Sequence, residues 1–139
     1  MSADMNPMFQ FTDLTTQHAQ MLNLLQDERL ALLDGELSRA RALLAQLHEL
    51  QETHIEDEES GLIPYLPEWA RWHARVYLAE HRKLSAMLGE LRLALEPLPA
   101  RVPDGTTRLA LLDIHAPFRH VLEHHFEREE KGLFVEVQR

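Results

Sequence analysis

His54-Ile55-Glu56-Asp57-Glu58-Glu59-Ser60-Gly61-Leu62 and His125-Phe126-Glu127-Arg128-Glu129-Glu130-Lys131-Gly132-Leu133 are two copies of one pattern, identical at six of nine places. Each copy closes on Gly followed by an apolar residue, a common way for a helix to stop. A fainter repeat precedes each. Leu14, His18, Met21 and Leu25 recur at the same offsets as Tyr77, His81, Leu84 and Leu88. The chain therefore reads as two helical hairpins, each contributing one lone His and one His-x-x-x-Glu.

Working outward, Thr12 or Asp13 can cap a first helix that runs to Leu33 and stops at Asp34-Gly35. A second helix is predicted from Glu36 to about Ser60, ended by Gly61. Pro64 and Pro67 force a connection, because proline lacks the donor a helix interior needs. The third helix is predicted over Trp69 to Leu95, and Pro97, Pro99 and Pro103 mark the longest loop. The fourth runs from near Gly105 to about Lys131 with a stop at Gly132, and Pro117 inside it implies a kink or a late start. Residues 1–10 read as a loose arm ahead of a single domain over 11–135. The expected fold is all-α, an antiparallel up-down-up-down four-helix bundle.

Composition agrees. In 139 residues there is room for one core, 45% of the residues are hydrophobic, and Leu and Ala outnumber aromatics. The formal net charge of -9, with basic residues scattered singly, excludes a nucleic-acid surface and disfavours an anionic membrane. No apolar run has membrane-spanning length, and the N-terminus lacks the pattern of a signal peptide. The expected location is cytoplasmic. Without cysteine there are no thiolate ligands and no thiol redox chemistry.

The inward stripes supply the chemistry. They read Leu14, His18, Met21, Leu25, Leu32; Leu37, Ala40, Leu44, Leu47, Gln51, His54, Glu58; Tyr77, His81, Leu84, Leu88, Leu91, Leu95; and Leu111, His115, Phe118, Leu122, His125, Glu129. Residues i and i+4 share one helix face, so His-x-x-x-Glu can offer an imidazole and a carboxylate to the same centre. His18 lies 16 residues before Asp34 and His54 lies 19 after Gly35, so antiparallel helices hold them at nearly the same height. His81 and His125 are placed similarly about the second loop. A single His-x-x-x-Glu is usually surface decoration, but two on core-facing seams, each with a lone seam His, are not. Buried carboxylates need a countercharge, and no Lys or Arg lies on these stripes. Four imidazoles and two carboxylates suit a pair of borderline divalent metals with the glutamates bridging.

On these motifs the chain resembles the hemerythrin-like, or HHE, domain family, over His18 to Leu133. The resemblance implies that His18, His54, Glu58, His81, His125 and Glu129 are metal ligands. It implies a non-haem centre of two iron ions, oxo- or hydroxo-bridged when oxidised. The family includes oxygen carriers, oxygen or iron sensors, and proteins of iron-centre repair under nitrosative stress. Two departures matter. The oxygen carriers have His-x-x-x-His on the third helix, where Tyr77 stands one turn before His81 here, and His-x-x-x-x-Asp on the fourth, where this chain has His-x-x-x-Glu. Both place it nearer the four-His, two-Glu branch, where reversible oxygen carriage is less assured.

Tyr77 is expected either to pack or to donate a hydrogen bond to a bound ligand. His73 lies two turns from His81, about 12 Å along the axis, too far to be a fifth imidazole. His115 reads as a satisfied core histidine, and His48, His120 and His124 as surface residues. Glu59 and Glu130 follow the ligands and point about 100° away, to an outer layer or to solvent. Glu130 replaces Glu129 only if the fourth helix is overwound.

The expected function is binding of dioxygen for storage or sensing. The alternative is a stress-response protein that reacts with peroxide or nitric oxide, or donates iron to damaged centres. The chain shows no rubredoxin-like or flavin module and no cysteine-bearing repair domain, so a binding protein is expected before a dedicated enzyme.

Overall fold

Apolar residues spaced three and four apart give each segment one face to bury, and in the computed structural model these faces meet. The structure describes residues 11–138, so the predicted arm over 1–10 lies outside the described residues. The helices are α1 (Phe11–Leu33), α2 (Leu37–Gly61), α3 (Ala74–Leu95) and α4 (Gly105–Arg128), followed by a short α5 (Phe134–Gln138). α1 packs on α2 and α4, and α3 packs on the same two. The architecture is the up-down-up-down four-helix bundle expected, and no described helix is long and apolar enough to cross a membrane.

Gly35 makes the first reversal. Its φ of 74° is left-handed, and its N–H and that of Glu36 reach back to the Leu32 and Ala31 carbonyls at 3.0 and 2.8 Å. These two hydrogen bonds satisfy carbonyls at the end of α1. The proline-rich loop covers the turn: Leu37 donates to Ala100 and Val102 to Gly35, each at 2.9 Å. Asp104 then caps α4, accepting from the Thr107 N–H at 3.0 Å.

Two predicted boundaries move, and an expected late start does not occur. The third helix begins at Ala74 and not Trp69, because residues 69–72 form a turn and a bend and an extended His73 precedes the helix, its Nδ1 accepting from the Arg75 N–H at 3.1 Å as the cap. Pro117 does not delay α4, which passes it on the exposed side. Gly132 does not stop the last helix either. The chain opens into one wider π turn over Glu129–Leu133 and resumes as α5. Gly132 is there for space. A Cβ on it would stand 2.6 Å from the Tyr77 hydroxyl and 2.7 Å from the Trp72 ring.

The core is divided. A large apolar cluster, including Met21, Leu44, Leu88 and Phe118, fills the end near Gly35. A smaller one of Leu14, Leu62, Ile63, Tyr77, Leu133 and Phe134 closes the other end. Between them lies a layer of buried polar side chains.

Candidate metal centre

His18 follows Leu14 by one turn of α1, and His81 follows Tyr77 by one turn of α3, so both imidazoles emerge from the middle of an apolar seam. His54 and Glu58 do the same from α2. His125 sits on α4 and Glu129 at the start of the π turn. All six residues are at most 2% exposed. The structure brings together every residue predicted as a ligand.

Glu58 and Glu129 each divide their two oxygens between two pairs of imidazoles. Glu58 sets Oε2 3.0 Å from His54 Nε2 and Oε1 3.0 Å from His81 Nε2. Glu129 sets Oε1 3.0 Å from His18 Nε2, and Oε2 2.9 Å from His125 and 3.3 Å from His81. Two overlapping groups result, His18, His54, Glu58, Glu129 and Glu58, His81, His125, Glu129, with donor atoms within 4.8 Å of one another. Either can hold a metal ion.

The outer nitrogens explain the orientation. Nδ1 of His18, His81 and His125 donates to Glu130, Glu59 and Glu80 at 2.7, 2.8 and 2.8 Å, and Nδ1 of His54 donates to the Gln17 amide oxygen at 2.5 Å. With Nδ1 donating, each Nε2 turns its lone pair inward, onto carboxylate oxygens or, for His18 and His54, onto each other at 3.1 Å. Acceptors therefore face acceptors throughout the layer. Only a cation at its centre relieves this, a proton or a metal ion.

The electrostatics agree. Burial alone would lower His54, yet the charge of Glu58 and the hydrogen bond of Glu129 push it up to about 10. The same opposition, won by Glu129 and Glu58, takes His81 to about 10, and Glu129 takes His125 to about 9. Burial, then the charge of Glu129, pushes Glu58 up. Burial is the largest influence on Glu129 and would raise it, but the charge of His125 and the hydrogen bonds from Glu58, His125 and His18 together hold it well below the carboxylate range. Imidazole and carboxylate donors suit divalent transition ions, and an all-oxygen preference such as that of calcium does not fit.

Gln17 and Glu80 were not legible as site residues, although each immediately precedes a histidine of the cluster. Glu59 and Glu130 are exposed, as expected, and also reach an imidazole on the next helix. Phe126 stacks on His18 with ring centroids 3.8 Å apart, a packing contact the repeat did not reveal. Tyr77 is buried against Gly132. Burial, then the charge of Glu136, pushes its phenol above the ordinary value. His48, His120 and His124 lie away from the centre on the surface side of their helices.

No protein-family model, curated protein or solved structure matches this chain.

Proposed function

We propose that the bundle is a non-haem di-iron protein of hemerythrin-like type that binds dioxygen for storage or sensing. The observation that carries this reading is the division of Glu58 and Glu129, each with one oxygen toward each imidazole pair. Each pair then offers four donors, two of them shared. Six protein ligands do not fill two octahedra, so positions stay open for a small ligand. Iron, when bound, supplies the electrons that make dioxygen a ligand.

The chain's own residues provide the enclosure. The two apolar clusters exclude water from both sides of the layer, and the Nδ1 bonds hold the imidazoles in place. Imidazole-rich ligation carries less negative charge than a carboxylate-rich set, which disfavours high-valent iron and favours binding over oxidation.

Elemental analysis after anaerobic iron loading should give close to two ions per chain. The reduced protein is then mixed with oxygen in a stopped-flow cell and purged with argon. Recovery of the reduced spectrum supports binding or sensing. One-way oxidation with no oxygenated species rejects it and promotes reaction with peroxide or nitric oxide.

A further inference from the structure

Four residues form a closed ring around the histidines. Gln17 of α1 holds His54 of α2, Glu59 of α2 holds His81 of α3, Glu80 of α3 holds His125 of α4, and Glu130, just past α4, holds His18 of α1. Under the internal repeat, Glu59 corresponds to Glu130 and Gln17 to Glu80. The ring repeats its chemistry in both halves except at one place. There an amide stands where the other half has a carboxylate.

A carboxylate behind an imidazole raises the basicity of the inward nitrogen, and partners of this kind are worth roughly 10–100-fold in metal affinity. His81 and His125 both have one. Arg128 takes the second oxygen of Glu80 at 2.8 Å, which fixes that carboxylate and leaves Oε1 to His125. In the other half only His18 is so backed, and His54 leans on a neutral oxygen.

The geometry points to two unequal metal positions, a tight one between His81 and His125 and a weaker, exchangeable one between His18 and His54, with Gln17 as the positioning residue that sets the difference. This rests on the two-metal reading above. The weaker position is the one through which the centre gains and loses its second ion.

Repulsion between two dications separates the binding steps even in a symmetric site, so the test must locate the first ion. Metal-free full-length protein is titrated anaerobically with cobalt(II) against a chromophoric chelator. His54→Ala should leave the first step unchanged and remove the second. His125→Ala should weaken the first step by about tenfold or more, and Gln17→Glu should narrow the gap between steps by a similar factor. Glu80→Gln, which does not depend on how the Gln17 variant folds, should narrow it by weakening the first step. If His54→Ala and His125→Ala weaken the first step equally, or neither ring variant changes the gap, the inference is overturned and the two-metal reading stands. Binding of a single ion by the wild-type protein overturns both.

Discussion

His115 places Nε2 2.8 Å from Oε2 of Glu28, and both side chains are fully buried. Nδ1 of His115 donates to the Leu111 carbonyl at 2.7 Å, which leaves Nε2 in close contact with the Glu28 carboxylate. Burial raises Glu28, opposed by the adjacent His115. The pair ties α1 to α4, roughly 15 Å of helix rise from His18 and His125. Removing one partner strands the other. Glu28→Leu or His115→Leu should each cost about 3–5 kcal/mol in urea denaturation, and the double variant much less than the sum. Metal content should not change in any of the three.

Glu58→Ala and Glu129→Ala should lose metal while keeping helical circular dichroism, because each removes a donor from both groups. His48→Ala should lose none. Elemental analysis of the three variants decides this. Loss with His48→Ala and retention with Glu58→Ala would mean the centre is misassigned.

Metal and proton compete for the same nitrogens, which sets a pH dependence. In the metal-free fold, His54 and His81 rise from 6.5 to about 10 and His125 to about 9, on the charges of Glu58 and Glu129 that overcome burial. The stability these protons contribute is complete below pH 6.5 and is lost as pH climbs through about 9 to 10. Metal must displace the protons, so its affinity rises over the same window. The gain in melting temperature on adding metal should be larger near pH ~8 than near pH ~6. An equal or smaller gain at the higher pH would refute the competition.

Gly132→Ala should destabilise by about 1–3 kcal/mol through overpacking, since the new methyl meets Tyr77 and Trp72. Because Glu129 opens the same π turn, metal affinity should fall with it. Gly89→Ala is the matched control. Nothing lies within 4 Å of its Cβ position, and the change should stabilise α3 by about 0.5–1 kcal/mol. Denaturation midpoints and metal content, read on both variants, separate crowding from a general effect of alanine.

The helices, their order and the six clustered side chains were legible from the sequence, because helical period is a local property. A His or Glu on an otherwise apolar seam also announces a buried partner. Glu28 falls on the same α1 stripe between Leu25 and Leu32, and it is the partner that the core histidine His115 required. Other features depended on how the helices are rotated against each other, which only packing decides. Gln17, Glu59, Glu80 and Glu130 sit at the flanks of their helices, and a flank side chain reaches its neighbour only after the bundle has closed. Gly132 reads as a helix stop in isolation. In the bundle it lies inside a π turn, where Trp72 and Tyr77, far away in the chain, occupy the space a side chain would need. The sequence by itself determined which residues would be buried together. Tertiary structure decided which atoms of those residues face one another, since that depends on helix rotation and register summed over the whole interior.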